Sequence, residues 1–153
     1  MKWHRVAAGS FNNIEYETKE SGGEFLHIVT SSGPLSRDER APVYEETIKL
    51  TQSDNYFCIL DNRKSKGNLV SMADMSYFGD LLLKKGIKRF FYAVVTHDPA
   101  YDNMIKLIKA VAVTKNLAID AINLEIEAIA TPDFEEAEAF ILTHVKKFID
   151  TAK

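Results

Sequence analysis

The chain has a single cysteine, Cys58, so it can close no internal disulfide, which suits a reducing compartment. It lacks an excess of positive charge: 19 Lys and Arg stand against 22 Asp and Glu, a net charge of −3. That balance argues against a nucleic-acid binder that works by neutralising phosphates. No window approaches the roughly 20 apolar residues that a membrane-crossing helix needs. Residues 1–10 lack the apolar run of a secretory signal. A cytoplasmic protein without a membrane span is expected. The four histidines, His4, His27, His97 and His144, show no metal-ligand spacing, and no acidic cluster suggests calcium or magnesium. No metal and no cofactor is expected. Linkers, low-complexity stretches and internal repeats are missing too.

What is present is ordinary for a globular protein: 46% hydrophobic and 27% charged residues. A length of 153 residues fits one domain, 1–153, and leaves too little chain for a second core.

Residues 11–20 alternate Ile14, Tyr16 and Thr18 against Glu15, Glu17 and Lys19, the period of a half-exposed strand. Ser21-Gly22-Gly23 is a turn, and residues 24–30 form the second strand of a hairpin. Residues 31–41 are polar and read as a loop, and Pro42 suits the first position of a helix.

Tyr56-Phe57-Cys58-Ile59-Leu60 is a continuous apolar run, as in strands covered on both faces. Ser71 can cap the next helix, with Asp74 in a capping-box position, and Gly86 closes it. Residues 90–95 repeat the buried-strand pattern. Asp98 and Pro99 then start a helix whose apolar stripe holds Met104, Ile105, Leu107, Ile108 and Val111. Residues 124–130 give the last strand and Thr131-Pro132-Asp133 opens the last helix. The expected fold is α/β: a mostly parallel five-stranded sheet flanked by about four helices, in the order β-β-α-β-α-β-α-β-α, with the first hairpin antiparallel.

This order resembles the STAS domain superfamily, the fold of anti-sigma-factor antagonists, and more narrowly its STAS-like branch related to the CRAL-TRIO lipid-binding fold. Three passages carry the resemblance: Tyr56 through Asp61, Lys85-Gly86-Ile87-Lys88-Arg89 leading into a strand, and the stretch from Ile129 to Phe140. The resemblance implies regulation through a protein partner or a small ligand rather than catalysis. It also implies a phosphorylatable Ser or Thr at the start of the helix after the Asp-ended strand. Ser71 is the nearest match. The loop before it, from Asn62 to Val70, is longer and more basic than that pattern, and Val70 stands where an acidic residue is usual.

In parallel sheets ligands bind beyond the carboxyl ends of the strands. That edge should gather Ser31, Ser32, Asp61, Asn62, Arg63, His97, Asp98 and Thr131. Each has a plainer reading. Ser71 as an N-cap is worth about 1 kcal/mol without any phosphate. Asp98 beside His97 could tune an imidazole for acid–base work, but Asp98 is better explained as a cap. Arg63, Lys64 and Lys66 in one loop, with Arg37 and Arg40 in another, could meet an anion; solvation is the common fate of such charges. Cys58 on a buried strand should behave as a small hydrophobe. His27 and His144 read as polar spots on packed faces.

The leading expectation is a non-enzymatic regulatory or binding module acting at the strand carboxyl edge. A carrier of an apolar small molecule or lipid, using the stripe from Met104, is an alternative. A small hydrolase or isomerase using His97 is another. A homodimer is compatible with the same stripe.

Overall fold

The computed structural model describes residues 1–33, 36–64, 72–106, 109–110 and 125–151. Six strands form one sheet in the order of the chain: β1 (His4–Phe11), β2 (Ile14–Ser21), β3 (Glu24–Ser31), β4 (Asn55–Asp61), β5 (Arg89–Val95) and β6 (Glu125–Thr131). The first two pairings are antiparallel and the last three parallel. The sheet is therefore mixed and six-stranded, not five-stranded as the sequence pattern suggests.

The extra strand is β1. Its sequence HRVAAGSF has no apolar alternation, and Asn12-Asn13, read from the sequence as strand, is a turn. Asn12 takes a positive φ of 55°, which asparagine tolerates better than most residues. Gly9 lies opposite Tyr16, and a Cβ there would come within 2.9 Å of the Tyr16 ring. The small residue lets the aromatic lie across the edge strand. The register slips between Arg5 and Ala7, an irregularity of the kind that discourages edge-to-edge pairing. The β2–β3 turn holds Gly22 and Gly23, both at positive φ, as a tight two-residue hairpin requires.

Helices α1 (Arg37–Leu50) and α2 (Met72–Lys85) follow β3 and β4. Residues 101–106 are helical and form α3; α4 (Phe134–Thr151) closes the described chain. The α1 start corrects the sequence reading. Ser36 is the N-cap, its hydroxyl accepts from Glu39 N, and the Glu39 side chain reciprocates in a capping box. Pro42 lies inside the helix, beyond the first turn. Arg37 and Arg40 are thus helical, not loop residues.

The period-two alternation of the parallel strands builds two apolar layers. Tyr56, Cys58, Phe90, Tyr92 and Val94 face α1, α2 and α3, where Val43, Met75, Leu82, Tyr101 and Met104 meet them. Phe57, Ile59, Phe91, Ala93 and Val95 face α4, which answers with Ala137, Ile141 and Val145. A polar chain threads the first layer. Thr18 Oγ1 lies 2.8 Å from His27 Nδ1, and His27 Nε2 lies 2.7 Å from Thr51 Oγ1. Thr51 donates to the Thr47 carbonyl, and the Thr47 hydroxyl meets Tyr56 OH at 2.8 Å. The His27 ring stacks on Tyr56 with centroids 4.9 Å apart.

Candidate functional site

At the carboxyl edge, parallel strands end where their successors' loops begin. Asn62 N donates to the Val95 carbonyl and Thr96 N to the Thr131 carbonyl, so the loops after β4 and β5 continue the ladder. This positions Asn62 under the three-helix face. The Ser31 hydroxyl donates to Asn62 Oδ1, and Asn62 Nδ2 donates to Tyr101 OH. Side chains from the end of β3, the end of β4 and the start of α3 are joined in this way, and all three are buried. Arg40 of α1, also buried, brings a guanidinium to the same face. Its charge acts on Tyr44, Tyr92 and Tyr101, and its N–H groups donate to Tyr44. Desolvation nevertheless pushes Tyr44 up to about 12. The Asp74 carboxylate receives two guanidiniums, Arg37 Nε at 2.7 Å and Arg40 Nη1 at 3.9 Å.

Asp61 and Arg63 form the outer rim. Arg63 grips the carboxylate with Nε at 3.0 Å and Nη2 at 2.8 Å, and its backbone N–H adds a bond at 3.2 Å. These contacts, the side-chain bond first, hold the Asp61 carboxyl below its ordinary range against the opposing effect of burial. The Arg63 guanidinium also lies over the Phe134 ring, 5.8 Å from its centroid. The pair is solvent-facing on the arginine side, so its contribution to stability is at most about 1 kcal/mol.

The remaining sequence candidates separate. His97 is exposed. Asp98 is committed to its turn: Oδ1 accepts from Ala100 N at 3.0 Å, while its own N–H donates to Thr96 Oγ1. Ser71, and with it the phosphoacceptor reading, lies outside the described residues. So do Leu107, Ile108 and Val111 of the apolar stripe; Met104 is in the core and Ile105, partly buried, packs against it. Burial lifts the Cys58 thiol to about 12, which keeps it protonated at neutral pH. The histidine that meets hydroxyl groups is His27, and it is sealed from solvent. Among the described residues no group of three or more His, Cys, Asp or Glu is placed to hold a metal ion, and no helix is long and apolar enough to cross a membrane.

Sequence reasoning missed Tyr101 and took Arg40 for a solvated loop charge, whereas it is a buried residue of α1. The signal for Arg40 existed: extended back to the Ser36-x-x-Glu39 capping box, the helical period puts Arg40 on the face of Val43 and Thr47, both buried.

The buried chain makes a stability prediction. Asn62→Ala removes the hydrogen bonds that join Ser31 to Tyr101 through its amide, and should cost about 1–3 kcal/mol in urea unfolding. Arg63→Ala, at the solvent-facing rim, should stay within about 0.5 kcal/mol of the parent. Equal losses would show that Asn62 is not an internal bridge.

No family model matches the sequence, and no curated protein matches it. The chain is similar to a crystal structure of an uncharacterized protein of the DUF3478 family from Shewanella loihica PV-4, described as having a SpoIIAA-like fold. The likeness covers 89% of this chain and 96% of that one, at 16% identity and a TM-score of 0.46.

Proposed function

We propose that this chain is a non-enzymatic binding module whose protein or small-ligand partner docks at the carboxyl edge of the parallel strands. The observation that carries this reading is the solvent-facing Asp61–Arg63 pair at that edge, held in place by the adjoining buried group of Ser31, Asn62, Tyr101 and Arg40. Hydrogen-bonding groups fixed by rigid elements favour recognition, because little side-chain freedom remains to be lost on binding. The histidine best supplied with hydroxyl neighbours is enclosed in the core, where no substrate reaches it. This favours binding over acid–base chemistry.

The rim is the place to test it, since its side chains can be changed without opening the core. The protein, immobilised and exposed to lysate of its native host, should retain a partner that an Asp61→Ala/Arg63→Glu variant does not. Retention unaffected by the double variant would move the docking surface elsewhere. Reproducible turnover of a substrate, lost on His97→Ala, would replace the reading with an enzymatic one.

A further inference from the structure

The buried row of Thr18, His27, Thr51, Thr47 and Tyr56 has a direction, set by the carbonyls of α1. The Thr47 hydroxyl donates to the Val43 carbonyl at 2.8 Å, so it accepts from the Tyr56 phenol. The Thr51 hydroxyl donates to the Thr47 carbonyl at 2.9 Å, so it accepts from the His27 ring. His27 Nε2 therefore carries a proton. With Nδ1 bare, Thr18 donates to it and the whole row is satisfied. With Nδ1 protonated, Thr18 has to accept, and its own buried hydroxyl proton loses the acceptor it had.

No charge nearby offsets a second proton. The ring is sealed from solvent. The groups that face it are Thr18 from β2, Tyr56 and Cys58 from β4, and Thr51 from α1. Burial holds the Tyr56 phenol and the Cys58 thiol in their neutral forms. Burial is also the cause that depresses the His27 pKa.

The walls of this enclosure are held unequally. β3 is laddered to β2 on one side and to β4 on the other. Thr51 is the C-cap of α1, and its backbone N–H reaches the Ile48 carbonyl at 3.2 Å. Gln52 and Asp54, just beyond it, are exposed. A helix end that runs out into solvent opens more readily than a strand paired along both edges.

We propose that His27 is an acid-released latch: with a proton on Nε2 alone it ties the last turn of α1 to the sheet, and a second proton enters as that turn lifts away. Acid then favours a local opening of α1 while β4 and β5 stay paired.

Two measurements on the full chain test this. The first is a nitrogen–proton correlation spectrum of protein carrying labelled histidine, at pH 7. His27, identified by elimination with His4→Gln, His97→Gln and His144→Gln variants, should show a protonated Nε2 and a bare Nδ1. The opposite tautomer, or a ring averaging between the two, would overturn the latch. The second is amide exchange, corrected for the direct effect of pH on the exchange chemistry. The amides of Ile48 and Thr51 should exchange through an opening smaller than the one that frees β4. That opening should become about 100-fold more frequent between pH 7.5 and pH 4.5, because an exposed imidazole gains roughly tenfold for each pH unit below about 6.5. In His27→Leu the response to pH should vanish. Exchange of this turn only in step with β4, no response to pH, or an equal response in His27→Leu would each overturn the proposal.

Discussion

Between pH 6.5 and pH 4 the protein should lose roughly 3 kcal/mol of stability that a His27→Leu variant does not lose. Burial alone depresses the His27 pKa from 6.5 to about 3 in the folded state. A base whose folded pKa is lowered is charged more readily when unfolded. Its contribution is fully present above pH 6.5, and is lost progressively as the pH falls towards 3, because the unfolded chain takes up the proton first. The slope approaches 1.4 kcal/mol per pH unit for one proton. Other groups also titrate: burial raises Glu24, which works in the opposite direction, and Arg63 lowers Asp61, which works in the same one. Parent and variant share them, so the difference between the two curves isolates His27. At pH 7 the variant should itself be less stable by about 1–3 kcal/mol, since Thr18 and Thr51 lose the ring between them. Urea unfolding of both proteins at several pH values gives the comparison. Parallel curves would mean that His27 is hydrated or already charged in the folded state.

Phe57→Ala should cost about 3–5 kcal/mol, a large share of the roughly 5–15 kcal/mol that holds a domain of this size together. Phe57 is 0% exposed on a strand flanked on both sides. Its ring stacks on Phe91 at 4.9 Å and meets Phe148 of α4 edge-on at 6.2 Å. Truncation removes the transfer energy of the ring and leaves a cavity that a strand paired at both edges cannot close by shifting. The change should appear in the urea midpoint with the slope nearly unchanged. Val6→Ala, at a position 49% exposed on β1, serves as the comparison and should stay within about 0.5 kcal/mol. A loss below about 1 kcal/mol at Phe57 would mean that α4 covers its face only loosely.

The parts of the fold legible in the sequence are those where burial leaves a local trace. β4 and β5 are covered on both sides, so Tyr56 to Leu60 and Phe90 to Val95 are continuously apolar. β1 leaves no such trace. Most of its side chains are exposed, and it is a strand because β2 offers it a ladder, a property of the partner rather than of Ala7, Ala8 or Gly9. Pro42 drew the start of α1 too far along the chain, although the Ser36 and Glu39 pair marked it.

The candidate site divides in the same way. The strand-end position of Asp61 and Asn62 follows from where the apolar run stops, and the cap at Asp98 follows from the Pro after it. The partners do not follow. Arg40 is buried against Tyr44 and Asp74, and the second of these sits in another helix. Asn62 bridges Ser31 and Tyr101, which are distant in sequence in both directions. A polar residue between Asp61 and Arg63 reads as part of a solvated turn until the loop after β5 and the start of α3 are placed over it.

The agreement between strand order and chain order has a consequence for synthesis. As the chain leaves a ribosome, each new strand can add to the growing side of a sheet whose earlier members are already complete. The layer containing Tyr56 and Tyr92 acquires its cover along the way, from helices that emerge between the strands. The opposite layer is packed, among the described residues, mainly against α4. Phe57, Ile59 and Phe91 wait for α4, which emerges after all six strands. For that interval the Phe57, Ile59 and Phe91 layer still lacks the helix that covers it in the finished fold, and that is when a chaperone would be most needed.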